Sequence, residues 1–427
     1  MTGTVSHSEK DSIMKEKNLG RRTFLKTAAL GTGMAAAAAV AAEGTLPPPV
    51  SPTRAVRYWM HGLEGSDPKA VAAALKEAGF GVVVAGGAAV IEAVNGAGME
   101  AWLCGSGFPL IRDDDALKAR DIEGAPQVWF GSGSPCCPEI QDAALASYAQ
   151  MVKTEGIKGI LVDGARFGSP GSGLMPFFTD FSEHAEKRAG ELGFDFALMK
   201  RDVALLLRAL RSEAGARAAL FERFVTPSSL LEWLTGHPGV LEWLRFRRAH
   251  TTSHFKKLSE IIHGAGLRMG IYVFTPCLAP LVGQSYADLR EIIDVFAPMI
   301  YRNYPDHPGP ACLNWELTEI PAELGVSGTP EEASIVAAIM SWAGFAGLEI
   351  EGRLDAVKAA LPPESVGRET RRARLLLGED KELAPIIYID DPLMAETARQ
   401  VRENGADGVN FFVFKETWAT MVRPALA

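Results

Sequence analysis

One aspartate in this sequence occupies a position typical of a catalytic residue, at the end of a predicted strand. Asp163 ends the apolar run 159–162, and a charge at the end of a buried strand costs free energy unless it is paired or used. Arg166 follows three residues later and could hold the carboxylate ionised, ready to act as a nucleophile or to stabilise a developing positive charge. The alternative is an ion pair between the two that only fixes a loop.

Other polar side chains stand at the ends of further apolar runs. They are His61 and Glu64, Tyr301 and Arg302, Asp390 and Asp391, and Lys415 and Glu416. Aromatic residues occur nearby, among them Trp59, Trp102, Phe108, Trp129, Tyr272 and Tyr304. Carboxylates beside flat aromatic faces suit a sugar, whose C–H faces stack on rings while its hydroxyls need polar partners. Trp59 and His61 are therefore candidates for sugar contacts, although a histidine in such a place is about as often a satisfied structural group.

The apolar runs alternate with helical patterns, which is typical of a parallel sheet joined by helices. Eight runs can be counted, covering residues 56–64, 81–86, 100–108, 159–167, 268–275, 295–304, 385–391 and 408–414. Eight parallel strands close a (β/α)8 TIM barrel, in which the strand ends and their loops converge on one mouth. A doubly wound open sheet is the rival architecture, but no G-x-G-x-x-G loop follows the first run.

Caps and periodicity predict the helices between these runs. Asp67 and Pro68 mark the start of the first one. Further helices are predicted over residues 139–154, 286–295, 330–342 and 392–404. The interval between the fourth and fifth runs is long, so we expect a helical insertion at 168–237 that covers the mouth, followed by a helix over about 238–263. A smaller addition is expected at 349–383.

Four phrases resemble a group of glycoside-hydrolase-like barrels common in bacterial genomes. They are DGARFGSP at 163–170, WLRFR at 243–247, PCLAPLVGQSY at 276–286 and PMIYR at 298–302. The resemblance covers the fourth to sixth runs. It implies a carbohydrate-active barrel in which five side chains face the substrate: Asp163, Arg166, Arg247, Gln284 and Tyr301.

The chain departs from this group in two ways. Amylase-type hydrolases with an aspartate on the fourth strand take their acid from a glutamate on the fifth, whereas the fifth run here ends in Thr275, Pro276 and Cys277. A second carboxyl group must therefore come from Asp390, Asp391, Glu416 or Glu64. Members of the group also often carry a cysteine cluster after the fourth strand, which residues 177–184 lack, so no metal site is expected there.

The N-terminal residues resemble a twin-arginine export signal. Residues 20–26 read GRRTFLK, which matches the pattern Ser/Thr-Arg-Arg-x-Phe-Leu-Lys except at Gly20, and an uncharged, alanine-rich stretch follows at 27–42. This stretch is too weakly apolar for a membrane span. We predict cleavage of residues 1–42, a linker at 43–53, a barrel over 54–427 and no stable membrane insertion. Export by the twin-arginine machinery would place the protein in the periplasm or outside the cell.

Charge and metal-ligand spacing argue against two classes of protein. Removing residues 1–42 takes away six positive and three negative charges, which changes the formal net charge from −9 to −12. An acidic surface repels a phosphate backbone, so nucleic acid is not an expected partner. No H-x-H or H-E-x-x-H motif occurs, and the five cysteines show no C-x-x-C spacing, which argues against a metal-dependent hydrolase.

The sequence therefore predicts an exported barrel that hydrolyses a glycosidic bond in a polysaccharide or glycoconjugate without a cofactor. Asp163 would be the nucleophile or an electrostatic stabiliser, with Arg166 and Tyr301 orienting it and the sugar. The general acid would be one of three carboxyl groups: Asp390, Asp391 or Glu416. The alternative is a barrel that binds carbohydrate without catalysis, and the missing glutamate on the fifth strand favours it.

Overall fold

The computed structural model describes residues 56–305 and 311–426. Eight strands lie in chain order: β1 Arg57–His61, β2 Phe80–Val84, β3 Glu100–Ser106, β4 Ile157–Asp163, β5 Arg268–Phe274, β6 Val295–Met299, β7 Ile386–Tyr388 and β8 Gly408–Phe412. Each pairs in parallel with the next, and β8 pairs with β1, so the barrel is closed. The predicted α/β barrel is confirmed. The export signal at 1–42 and the linker at 43–53 lie outside the described residues.

Helices connect the strands and form two insertions. They are α1 Pro68–Glu77, α2 Ala88–Gly96, α3 Pro138–Met151, α4 Leu174–Phe177, α5 Glu183–Leu192, α6 Phe196–Leu210, α7 Ala214–Glu222, α8 Pro227–Gly236, α9 Pro238–Gly264, α10 Tyr286–Leu289, α11 Leu313–Glu316, α12 Glu319–Glu323, α13 Glu332–Ala343, α14 Leu354–Ala359, α15 Pro363–Leu377, α16 Met394–Glu403 and α17 Trp418–Leu426. No helix among the described residues is long and apolar enough to cross a bilayer.

The first helix shows how local sequence sets these elements. Asp67 caps α1 by accepting hydrogen bonds from the backbone N–H groups of Lys69 and Ala70 at 3.1 Å, and Pro68 occupies the first turn. Gly79, with a φ of +96°, then turns the chain into β2. The predicted start of this helix is correct because both signals act within one turn.

The lower half of the barrel is filled by two indole rings. Trp59 on β1 and Trp102 on β3 are fully buried and meet edge to face, with ring centroids 5.1 Å apart. Gly159 on β4 leaves the necessary room, because a Cβ there would lie 2.5 Å from Cζ3 of Trp102. Trp59 is therefore core, and its expected contact with a sugar at the mouth is wrong.

Two insertions lie on the mouth side of the barrel. The first contains α4 to α8, and with α9 it forms its own apolar cluster around Phe178, Trp243 and Phe246. Helix α15 packs against the barrel helix α16, so the second insertion, between β6 and β7, begins at Leu313 and contains α11 to α14. It is larger than the expected addition at 349–383, because the short helices α11 and α12 lack a clear periodic pattern.

Candidate active site

Asp163 points into the barrel at its C-terminal mouth. Side chains on a strand alternate between its two faces, and Gly159 on β4 faces Trp102 inside the barrel. Leu161 and Asp163 lie on the same face as Gly159, and Asp163 is the last residue of β4. The residue as a whole is half-buried, and its carboxyl group is the buried part. It therefore occupies the level at which barrel enzymes place their reacting groups.

Burial raises the pKa of the Asp163 carboxyl from its ordinary value to about 6. The backbone N–H of Gly164, which donates to Oδ1 at 2.7 Å, and the charge of Arg166 both lower this pKa without cancelling the effect of burial. The sequence alone indicates that Arg166 could hold the carboxylate ionised. A carboxyl group with a pKa of about 6 is instead suited to donate a proton near neutral pH.

This raised pKa makes a prediction for stability. The folded protein keeps the proton up to about pH 6, whereas the unfolded chain releases it near pH 4, so this stabilising contribution is complete below pH 4 and is lost as the pH rises to 6. The Asp163→Asn variant has no carboxyl group at this position, so its stability does not fall in this way as the pH rises. We expect its free energy of unfolding to exceed that of the wild type by up to about 2 kcal/mol at pH 8, and by nothing near pH 4. Urea unfolding at both values measures this difference.

The exposed Asp142 on α3 supplies the control for that experiment. Asp142→Asn should leave the free energy of unfolding within about 0.5 kcal/mol of the wild type at pH 8. A stability gain at pH 8 that is equal for the two variants would contradict the burial of a proton at Asp163.

Arg166 is buried between aromatic rings beside Asp163. Its guanidinium carbon lies 4.6 Å from the ring centroid of Phe274 and 5.8 Å from that of Phe130. Burial lowers the pKa of Arg166, while the charges of Glu316 and Asp163 raise it. The cation is thus held between two acidic groups, one of them at the mouth.

Glu316 was not predicted from sequence. Its carboxylate on α11 accepts hydrogen bonds from Ser169 Oγ at 2.8 Å and from the backbone N–H of Gly171 at 2.6 Å, both in the loop after β4. Glu316 therefore fixes the loop that begins at Asp163. A contact between residues almost 150 positions apart leaves no local signal in the sequence.

A second polar group lies on β1, β5 and β8. His61 Nδ1 is 2.7 Å from the hydroxyl of Tyr272, and Asn410 Nδ2 donates to the same hydroxyl at 3.5 Å. Burial lowers the pKa of His61 to about 4, so the imidazole is neutral at pH 7. His61 can therefore hydrogen-bond a ligand hydroxyl, but it does not provide a positive charge.

A row of tyrosines crosses the mouth towards β7. The ring centroids of Tyr301 and Tyr304 are 5.7 Å apart, and those of Tyr304 and Tyr388 are 4.7 Å apart. The hydroxyl of Tyr388 donates to Asp390 Oδ2 at 3.0 Å, and Asp390 also forms an ion pair with Lys415. Asp390 and Lys415 therefore belong to the same rim of the mouth, whereas the side chain of Tyr301 is fully buried at this level and does not face a substrate.

Arg247 and Gln284 do not lie at the mouth, so the expectation that they face a substrate is corrected. Arg247 is fully buried, donates to backbone carbonyls of the two loops after β4 and β5, and stacks 3.8 Å from the ring centroid of Trp243. Gln284 accepts from the N–H of Phe274 at 2.8 Å and donates to the carbonyl of Ala165 at 3.3 Å. Both side chains use their polar atoms to fix loops.

Asp391 is also displaced from the expected site. Asp391 is buried and accepts hydrogen bonds from Arg302, from Thr397 Oγ1 at 2.8 Å and from the N–H of Leu393 at 2.8 Å. Its oxygens are occupied, so we assign it a structural role. Glu416 is exposed in the segment that follows β8. Of the three expected partners for Asp163, Asp390 is the one that the structure places on the rim.

No group of three or more His, Cys, Asp or Glu residues in the described part of the chain is arranged to hold a metal ion. The chain matches no protein-family model and no curated protein.

Solved structures are similar to this chain over most of its length. The PgaB (BpsB) glycoside hydrolase domain from Bordetella bronchiseptica is 11% identical with a TM-score of 0.47, over 87% of this chain and 99% of that one. The β-amylase catalytic domain from Paenibacillus polymyxa is 12% identical with a TM-score of 0.47, over 88% and 96%. A chitinase from Chromobacterium violaceum is 13% identical with a TM-score of 0.33, over 87% and 99%. Likenesses at this level carry no information on substrate or mechanism.

Proposed function

We propose that this protein hydrolyses a glycosidic bond at the mouth of its barrel, with Asp163 as the general acid. One observation carries the proposal: a carboxyl group at the end of β4 points into the mouth and has a pKa of about 6. Such a group is partly protonated at neutral pH, as an acid that protonates a leaving group must be. This role replaces the nucleophile or electrostatic stabiliser expected from the sequence.

The reaction needs a second carboxyl group, and we propose Asp390. Asp163 gives its proton to the glycosidic oxygen as the bond from that oxygen to the anomeric carbon breaks. Asp390 accepts a proton from the water whose oxygen bonds to the anomeric carbon, so one water is consumed for each bond cleaved. The ammonium of Lys415 and the hydroxyl of Tyr388 both bind Asp390.

The strand positions of the two carboxyl groups favour inversion of configuration. Asp163 ends β4 and Asp390 follows β7, three strands away around the barrel. Neighbouring strands are about 4.8 Å apart, so roughly 14 Å of barrel wall separates the two strands, and side chains that reach into the mouth from both would bring their carboxyl groups closer than that. That arrangement fits the spacing of roughly 6.5–9.5 Å found in inverting enzymes better than the 5–5.5 Å of retaining ones.

Phe130 is proposed as a platform for the sugar ring. It has a φ of +49°, which a bulky residue rarely adopts, and its side chain is 42% exposed. Its ring also lies 3.5 Å from the position a Cβ would take at Gly164, next to Asp163. A strained backbone that presents an aromatic ring to solvent beside the acid is consistent with stacking on a sugar face.

Phe130→Ala is therefore expected to raise KM about fivefold with little change in kcat, because a stacking contact worth about 1 kcal/mol forms in both the bound substrate and the transition state. Steady-state kinetics on the substrate found below measure both constants. Ile111→Ala removes another exposed apolar side chain from the same loop and should leave both unchanged. Equal effects of the two substitutions would contradict the platform.

The function itself is tested with a panel of polysaccharides and glycoconjugates. We expect the purified protein to release new reducing ends from at least one of them. Calorimetry on the same panel measures binding. Binding without release would contradict hydrolysis and identify the alternative, a non-catalytic carbohydrate-binding barrel.

We further propose that the protein is exported through the twin-arginine pathway to the periplasm or beyond, as residues 20–42 indicate. Replacing Arg21 and Arg22 together with lysine should retain the full-length protein in the cytoplasm. Cell fractionation followed by immunoblotting measures this distribution. Unchanged export of the double variant would contradict the pathway.

A further inference from the structure

A solvent-accessible apolar cavity of about 280 Å³ lies between the two insertions, and we call it the cap hollow. Side chains from α6, α7 and α8 form one wall, and side chains from α12 and α13 form the opposite wall. Pro170, Leu281 and Leu317, from the segments that follow β4, β5 and β6, also line it. The hollow is therefore on the same side of the barrel as Asp163.

Helix α8 packs over this hollow without a single buried residue. Leu230, Trp233 and Leu234 of α8 line the hollow, and each is only half-buried. Across the hollow, Ile339 and Trp342 of α13 are likewise half-buried. These side chains stay in contact with solvent, so they forgo the free energy of about 25 cal/mol per Å² that burial of apolar surface gives. An apolar ligand would supply the missing contacts.

The chemistry of the lining selects the kind of ligand. Glu316 is the charged side chain among the residues that form the wall, and its carboxylate already accepts hydrogen bonds from Ser169 and Gly171. A peptide would bring backbone N–H and C=O groups, and a sugar would bring hydroxyls, that this wall does not satisfy. An aliphatic chain makes no such demand.

We propose that the cap hollow binds one aliphatic chain of an amphiphilic ligand. Glu316 connects the hollow to the mouth, because it lines the hollow and its charge acts on Arg166 beside Asp163. The polar head of the ligand then lies towards the mouth. The substrate is accordingly a glycoconjugate with an alkyl or acyl chain, a statement that rests on the proposed glycosidase function.

The binding site is tested by calorimetry with n-alkyl β-glucosides from methyl to octyl, below their micelle concentrations, and with the matching n-alkanols. Affinity should rise about fourfold for each added methylene, or roughly 250-fold from butyl to octyl, in both series. A negative heat-capacity change should accompany the binding of octyl glucoside. Affinity that does not depend on chain length would overturn the proposal.

Leu206 and Leu205 provide a matched pair of variants on α6. Leu206 lines the hollow, whereas Leu205 is exposed and does not. Leu206→Phe should weaken octyl glucoside binding at least tenfold, and Leu205→Phe should leave it unchanged. Ile339→Phe fills the hollow from α13 and should act like Leu206→Phe, which guards against misfolding of one variant. Equal affinities for all four proteins would overturn the site.

The cap hollow and the proposed function can fail separately. Asp163→Asn should bind 1-octanol as the wild type does, because Asp163 does not line the hollow. Chain-dependent binding without hydrolysis of any glycoside would leave the hollow in place and overturn the substrate assignment. The protein could also hydrolyse methyl and octyl glycosides equally well and bind them with an affinity that does not depend on chain length. That result would support the glycosidase function and overturn the proposal that the cap hollow binds an alkyl chain.

Discussion

Asp163→Asn is expected to lower kcat/KM for an unactivated glycoside by about 10²–10⁴-fold, the contribution usual for a general acid. An asparagine keeps the shape of the side chain but has no proton to give to the leaving oxygen. In the wild type, kcat/KM should fall as the pH rises through about 6, because the acid form of Asp163 is then lost. The variant should lack this limb of the pH profile.

A leaving-group comparison separates the acid from a nucleophile. The nitrophenolate anion leaves from a nitrophenyl glycoside without being protonated. Asp163→Asn should therefore lose far less activity on this substrate than on an unactivated glycoside. Glu416→Gln changes an exposed carboxyl group near the same mouth and should retain wild-type rates on both substrates. Equal losses on both substrates for Asp163→Asn would contradict the acid role.

Asp391→Ala is expected to lower the free energy of unfolding by about 3–5 kcal/mol. The substitution leaves the guanidinium of Arg302 buried without its carboxylate, and Thr397 Oγ1 and the N–H of Leu393 also lose their acceptor. Urea unfolding monitored by circular dichroism measures the loss.

The neighbouring residue Asp390 is the control, because its substitution should affect activity and leave stability nearly unchanged. Asp390 is partly exposed, and its ion pair with Lys415 should contribute no more than about 1 kcal/mol, so Asp390→Ala should be nearly as stable as the wild type. Its activity should nevertheless fall sharply, whereas folded Asp391→Ala should keep the wild-type kcat. A stable but inactive Asp391→Ala would reverse the two assignments.

The barrel could be predicted from the sequence because each strand is an apolar run that is followed or preceded by a turn or helix signal. All eight runs overlap an observed strand, although those at 81–86 and 159–167 start late, since β2 begins at Phe80 and β4 at Ile157. The predicted ends extend too far at the mouth: the run 295–304 contains β6 only at Val295–Met299. Beyond Met299 the chain leaves the sheet to reach the second insertion, which begins at Leu313. The residues after Met299 therefore do not continue the hydrogen bonding of β6 to its neighbouring strands. The helix predicted over 286–295 is a single turn, Tyr286–Leu289, because Ile292 and Ile293 pack into the core.

The site was only partly predictable. Strand ends alone placed Asp163, His61, Tyr301 and Asp390 at the mouth, because the barrel geometry fixes where strands end. Trp59 precedes His61 by two residues on the same face, which places it one layer lower at about 3.3 Å per residue. Arg247 depends on contacts with carbonyl groups about 35 to 80 residues away, which no local pattern records.

A structure of the Asp163→Asn variant with an oligosaccharide from the panel tests the central claim most directly. We expect the glycosidic oxygen to lie about 2.6–3.2 Å from the side chain at position 163, with Asp390 on the opposite side of the anomeric carbon. An oligosaccharide bound away from the mouth, or bound there with its glycosidic oxygen out of reach of position 163, would contradict the assignment of Asp163 as the general acid.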